Sequence, residues 1–276
     1  MLTNRREKPR TQVDCSIPAA TMHSKTTESV AALYNTLPDI HEAARSVAHL
    51  EATVLPGLAN LLVKFGLETS FNICLVHNHF QLTDGESVVE LDGPDGSVSS
   101  VFKAQSPDDD IVLRYNLDVP ANPAVVGDTF LVRDGSLIPY EFRCVSEFDF
   151  IRSPDVIGLK ESGFLEEWET LLKSQNIVDK LGLQWKSTGE VGRVVYEVAH
   201  PVERIHVRTR PDSTAFPRHD LQNYISTVWE ITNVGTAPVV DRLAWCYLCA
   251  EWQYCPACQA WRYFRNGLCE VCGSQG

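Results

Sequence analysis

Six of the nine cysteines in this 276-residue chain fall in three Cys-x-x-Cys pairs near its C-terminus: Cys246 with Cys249, Cys255 with Cys258, and Cys269 with Cys272. Two cysteines separated by two residues can turn both sulfurs toward one ion. Two such knuckles complete the tetrahedral thiolate shell of a closed, structural zinc site. Between Cys258 and Cys269 an aromatic run, Trp261-Arg-Tyr-Phe264, precedes Asn266-Gly267, a two-residue hairpin signal that would join the knuckles. Cys255, Cys258, Cys269 and Cys272 are therefore the expected ligands of a structural Zn2+. Cys246 and Cys249 form an alternative pair, because one ion cannot use six thiolates. Disulfide exchange is not indicated, since no thioredoxin-like βαβ pattern precedes any pair.

A second constellation is His77-x-His79. On a strand, residues two apart share a face, so both imidazoles can converge on one point. Glu86, placed across an expected turn, could add a carboxylate. Two histidines and a carboxylate with open positions suit non-haem iron or a catalytic zinc. His77, His79 and Glu86 are thus the candidate catalytic residues, against the plainer reading of hydrogen-bonded strand histidines. His206, Arg208 and Arg210 would also share a strand face, either gripping a carboxylate or phosphate or simply solvated. Cys74 has the opposite parity from His77, so a regular strand points its thiol elsewhere. No Gly-rich phosphate loop, nucleophile elbow or dinucleotide fingerprint is present.

Residues 255 to 273, with Cys-Pro-x-Cys, a ten-residue spacer and Cys-x-x-Cys-Gly, resemble the short zinc-ribbon family, whose members serve many unrelated functions. That resemblance implies a structural zinc and no particular reaction. His77-x-His79 followed by Glu86 faintly resembles the first cupin motif, with a longer spacing to the glutamate. The nearest counterpart of the second cupin motif is His219-Asp-Leu-Gln-Asn223, far downstream. The block Phe71 to Leu82, with the tryptophan- and cysteine-rich tail, resembles uncharacterised proteins of filamentous fungi. This implies a place in small-molecule, secondary-metabolite biosynthesis. One such class, the arginine-containing cyclodipeptide synthases, uses aminoacyl-tRNA; no acidic signature here maps onto that activity, and an aminoacyl-tRNA-dependent peptide-forming enzyme stands as the runner-up.

The elements that must position these groups are written in the periodicity. Residues 1 to 25 mix charge, Ser, Thr and Pro without a period and read as a disordered tail. Val30, Leu33 and Leu37 space a short helix ended by Pro38. Ala43, Val47, Leu50 and Val54, then Leu58, Leu61, Leu62 and Phe65, mark a helix over 39–66, broken or kinked at Pro56. Phe71 to Leu82 reads as a strand that Thr83-Asp-Gly-Glu86 folds back onto Ser87 to Leu91. Asp134-Gly135 writes a second hairpin, and another strand follows from Tyr140. A helix over 161–172 and strands at 192–198, 204–208 and 225–232 complete the pattern, and no internal repeat is visible. Hairpins with helices kept apart predict an α+β fold: N-terminal helices packed on an antiparallel, hairpin-rich sheet over 26–237. The small zinc-ribbon segment follows at 238–276, either packed against the main domain or swinging from a tether near Thr236-Ala-Pro238.

Hydrophobic residues make up 44% of the chain, enough for a proper core. A net charge of −12 and a pI near 5.1 disfavour nucleic acid as a partner and restrict any such contact to a local basic patch. The basic, polar first residues predict no secretory signal, and no run of about eighteen apolar residues predicts a membrane span. With clustered thiols, these features predict the cytoplasm or nucleus, with Cys15, Cys74 and Cys144 as free thiols. Two function classes follow. In one, the chain is an enzyme or accessory protein of small-molecule metabolism, with His77, His79 and Glu86 at the site and the ribbon as a clamp. In the other, the ribbon is an interaction module, and Trp252, Trp261, Tyr263 and Phe264 bind protein or nucleic acid.

Overall fold

All five residues from Phe71 to Leu75 are buried, and so are all five from Leu181 to Trp185. A sheet with one wet face would expose alternate residues, so these strands belong to a sheet covered on both sides. The computed structural model describes residues 29–48, 51–93, 96–103, 123–146, 156–186, 195–200, 204–209, 224–234, 237–247, 252–255, 260–265 and 268–269. The first part of the chain forms α1 (Val30–Thr36), α2 (Ile40–Val47), α3 (Glu51–Lys64), β1 (Phe71–Leu75), β2 (Glu86–Gly93), β3 (Gly96–Lys103), β4 (Pro123–Arg133) and β5 (Ser136–Ser146). The second forms α4 (Val156–Glu161), α5 (Phe164–Ser174), β6 (Leu181–Trp185), β7 (Val195–His200), β8 (Ile205–Thr209), β9 (Tyr224–Val234) and β10 (Ala237–Tyr247).

The ten strands close into a barrel in the order β1-β6-β4-β5-β2-β3-β8-β7-β10-β9, with β9 returning to β1. This corrects the expected α+β arrangement of helices packed on an antiparallel hairpin sheet. The sheet has no open ends, and two of its pairs, β2 with β5 and β7 with β10, are parallel. The hairpin expected between Phe71 to Leu82 and Ser87 to Leu91 does not form: β1 pairs instead with β6 and β9. The helix expected over 39–66 is two elements, α2 and α3, and Pro56 lies inside α3.

The topology also contains a repeat that the sequence does not show. Each half runs helix, short strand, short hairpin, long hairpin. The connections from α3 into β1 and from α5 into β6 are alike: Leu67 N donates to Leu62 O (2.8 Å) as Ile177 N donates to Leu172 O (3.1 Å). β1 and β6 pair across a local two-fold axis, Phe71 opposite Trp185 and Ile73 opposite Leu183. Reciprocal bonds flank the pair, Val76 N to Lys180 O (3.0 Å) and Lys186 N to Ser70 O (2.9 Å). The long hairpins, β4-β5 and β9-β10, match in length, as do the parallel pairs that attach them.

Residues alternate between two environments along these strands. Phe71, Ile73, Leu75, Leu181, Leu183 and Trp185 join the apolar core with Leu58 and Leu62 of α3 and Phe164 and Trp168 of α5. Fully burying each of those large side chains contributes roughly 1.5–3 kcal/mol. Asn72, Cys74 and Gln184, at the alternate positions, are buried on the opposite face. There they join Glu90, Asp128, Arg143, Glu197, Arg208 and Thr227, from strands all around the barrel. The lumen of this barrel is polar and charged.

β10 continues to Tyr247, so the boundary expected near residue 238 falls inside the β9-β10 hairpin. Beyond it, β11 (Trp252–Cys255), β12 (Ala260–Arg265) and β13 (Leu268–Cys269) form a separate antiparallel three-stranded sheet.

Candidate metal centre

β1 ends at Leu75, and the next residues leave the sheet. They are clamped to the α1-α2 connection. Asn78 N donates to Pro38 O (2.9 Å) and its side chain donates to Leu37 O (2.7 Å). Asn35 bonds both backbone groups of Leu82, donating to its carbonyl and accepting from its N–H, each at 2.8 Å. His79 N donates to Tyr34 Oη (3.2 Å), and the Tyr34 and Phe80 rings lie 6.1 Å apart. Helix α1 is itself started by Ser29, whose Oγ accepts from Ala32 N (3.1 Å). A segment outside the barrel ladder is therefore held by one backbone bridge, between Asn78 and Asp39, and by side chains.

His77 and His79 sit on this clamped segment with their rings edge to face, 4.5 Å between centroids. His77 Nδ1 lies 2.8 Å from Leu75 O. A carbonyl can only accept, so Nδ1 carries the proton and Nε2 presents a bare lone pair. That Nε2 is buried and makes no hydrogen bond. Burial also pushes the His77 imidazolium down from its ordinary pKa, favouring the neutral ring that ligates metals. An imidazole donating one N–H to a carbonyl while offering the other nitrogen is the usual posture of a metal ligand.

The third donor comes from β10. Cys246 is fully buried, opposite Glu197 in the parallel β7-β10 pair. Its Sγ and one nitrogen each of His77 and His79 lie within 4.8 Å of one another, and Cys246, His206 and Glu197 form a second such group. The two groups share the sulfur. His79 stacks on His206, centroids 4.0 Å apart and planes 27° apart. Nearly parallel rings direct their lone pairs along separate planes, so these two imidazoles do not aim at one ion. His77, His79 and Cys246 make the three-donor set, and His206 and Glu197 flank it.

The flanking charges are tightly held. Glu197 accepts from Arg208 Nε (2.8 Å) and from Thr227 Oγ1 (2.8 Å), and its carboxylate is 3.9 Å from His206 Nε2. Burial alone would raise the Glu197 carboxyl, but Arg208, with help from His79 and His77, holds it below its ordinary pKa. Arg208 also pairs with Glu90, which Arg143 grips at 3.0 Å while reaching Asp128 at 3.0 Å. Among the described residues of this network, three carboxylates (Glu90, Asp128 and Glu197) face two guanidiniums. Glu141, accepting from Thr129 Oγ1 (2.8 Å), is different: burial lifts its carboxyl to about 7.

Of the residues expected from sequence, His77 and His79 are brought together, although not by a strand. Glu86 is not with them. It pairs with Arg204 and accepts from Thr83 N (2.6 Å), and Arg204 holds its carboxyl down at about 2. His206 and Arg208 do share a face, but it is the lumen, and Arg208 grips carboxylates of this chain; Arg210 lies outside the described residues. Cys246, read from sequence as one half of a zinc knuckle, is a barrel residue. Of the other ribbon cysteines, Cys249, Cys258 and Cys272 lie outside the described residues. Cys255 and Cys269 are placed only as backbone, opposite Ala260 and Phe264. His219 and Asn223 are likewise outside. The sequence reading missed Glu197 as a partner of the site; the signal was its acidic side chain in an apolar strand pattern, Val195 to Ala199. Compared with family models, with curated proteins and with solved structures, the chain matches none.

Proposed function

We propose that the protein is a metal-dependent enzyme acting on a small molecule, with one transition-metal ion held in the barrel by His77, His79 and Cys246. The observation that carries this reading is the convergence of those three donors, from two separate segments, around the buried lone pair of His77 Nε2. Two imidazoles and a thiolate form a borderline-soft set that suits zinc, and three protein ligands leave the fourth tetrahedral position open for water or substrate. His79 is only half-buried, so the centre has a side toward solvent. The ribbon would hold a second, structural zinc through Cys255, Cys258, Cys269 and Cys272. The burial of Cys246 in β10 supports that set over the pair Cys246 and Cys249. A His2Cys set also serves blue-copper electron transfer, and the identity of the ion separates the two chemistries.

The test is elemental mass spectrometry on the intact chain and on the His77→Ala/His79→Ala double variant. One equivalent of zinc in the intact chain that disappears in the variant, above whatever the ribbon holds, is the expected result. Equal metal content in the two proteins would sink the proposal, and copper in that position would turn it toward electron transfer.

A further inference from the structure

We infer that the ion in the barrel is a single divalent cation that stands where the other half of the barrel places a guanidinium. This rests on the metal-binding reading above and adds the number, the charge and the structural role of the ion.

The two-fold repeat makes the comparison possible. In the parallel pair β2-β5, Glu90 lies opposite Arg143; in the equivalent pair β7-β10, Glu197 lies opposite Cys246. In the antiparallel contacts, Thr129 lies opposite Gln184 as Val228 lies opposite Cys74, which makes Asp128 the counterpart of Thr227. The first half therefore fills its node with Glu90, Asp128 and the Arg143 cation bridging them, 3.0 Å from each. The second half keeps the glutamate, turns the aspartate into Thr227 and turns the arginine into Cys246. Its cation is gone. In its place are a sulfur, two imidazoles and the unbonded Nε2 of His77.

Charge decides how many ions fit. Among the described residues, and leaving Glu141 aside, the three carboxylates exceed the two guanidiniums by one negative charge, and a Cys246 thiolate adds a second. A single divalent ion balances both. Two ions bridged by the thiolate would overshoot by two positive charges among these buried groups, and the stacking of His79 on His206 already argues against a shared pair of centres. An uncompensated charge in such a place is strongly destabilising. Binding the ion must therefore support the barrel itself, as Arg143 supports the first half.

The experiment uses the full chain with Cys255, Cys258, Cys269 and Cys272 changed to serine, so that only barrel metal is counted. Metal content and Tm are measured before and after stripping with a chelator, for this reference and for its Cys246→Ala, Cys246→Arg and Glu197→Gln forms. The reference should hold one Zn2+ and lose about 5 °C or more of Tm on stripping. Cys246→Ala should bind no ion and melt like the stripped reference. Cys246→Arg should also bind none yet melt well above Cys246→Ala, unmoved by chelator, because the guanidinium supplies the missing charge. Glu197→Gln should narrow the gap between loaded and stripped Tm, a readout that does not depend on how well arginine packs at position 246. Two ions per chain, a stripped Tm equal to the loaded one, or an unchanged gap in Glu197→Gln would overturn the inference while leaving a metal site. No metal in the reference would overturn the metal reading as well.

Discussion

Arg143→Met tests the charged lumen directly. Arg143 is 1% exposed, with Nη2 3.0 Å from Glu90 and Nε 3.0 Å from Asp128. Methionine keeps most of the volume and removes the charge. Glu90 retains Arg208, so the larger loss falls on Asp128, which gives up the guanidinium 3.0 Å from its carboxylate. Breaking a buried pair by removing one partner costs about 3–5 kcal/mol. We expect a cost in that range, a large share of the stability of a typical domain. The second substitution decides the mechanism. Adding Asp128→Asn to Arg143→Met should recover most of the loss, because it removes the stranded charge. Adding Glu90→Gln instead should recover little, because it leaves the Asp128 charge in place and takes one of two carboxylates from Arg208, which keeps Glu197. Urea unfolding followed through the buried Trp168, Trp185 and Trp229 gives midpoints and slopes for the set. A single variant within about 0.5 kcal/mol of the parent, or equal recovery by the two second substitutions, would refute a dry ion network read from these contacts.

Three further outcomes follow from other parts of the barrel. Glu141, lifted by burial from 4.5 to about 7, holds a proton in the folded chain that the unfolded chain has already lost. Its stabilising effect is full below about pH 4.5 and disappears as pH rises through about 7, an effect on the order of 3 kcal/mol. Unfolding midpoints measured across that window should fall for the parent and fall less for Glu141→Gln. Gly182→Ala should cost more than about 2 kcal/mol by the same assay, since its Cβ would sit 2.4 Å from the Phe130 carbonyl oxygen, which belongs to a barrel strand and cannot step aside. Asn35→Ala should cost about 1–2 kcal/mol through the two lost bonds to Leu82 and should speed hydrogen exchange in residues 77–82, with the rest of the barrel amides unchanged.

The sequence made some of this legible and hid the rest for identifiable reasons. The convergence of His77 and His79 could be read from their spacing, but the geometry that joins them is a clamped loop rather than a strand. The helices around Val30 and Leu58, and the Asp134-Gly135 turn with its positive φ angles, were written locally and could be read locally. Barrel closure could not, because periodicity reports which residues share a face and never which strand lies alongside. The polar lumen deepened the problem. Glu90 alternating with Val89 and Leu91, or Gln184 between Leu183 and Trp185, reads like a sheet with one side in water. Here the polar side faces inward, and the helices cover the other. Glu86 looked like the third member of the histidine site because it was nearby in the chain; Arg204 claims it in the fold. Cys246 looked like a knuckle because Cys249 follows it, while its fate was set by Glu197 on a strand some fifty residues earlier.

The position of β1 between β6 and β9 also governs when the molecule can be finished. As the chain emerges from the ribosome, Phe71 to Leu75 must wait for partners at Leu181 to Trp185 and then at Val228 and Trp229. Closing loops of that length is slow, and contacts so far apart in sequence delay folding. Until then β1 lacks both of its barrel partners. His77 and His79 are made long before Cys246, so their meeting marks the completed barrel. An ion that needs all three can be loaded only into a chain that has already passed that point.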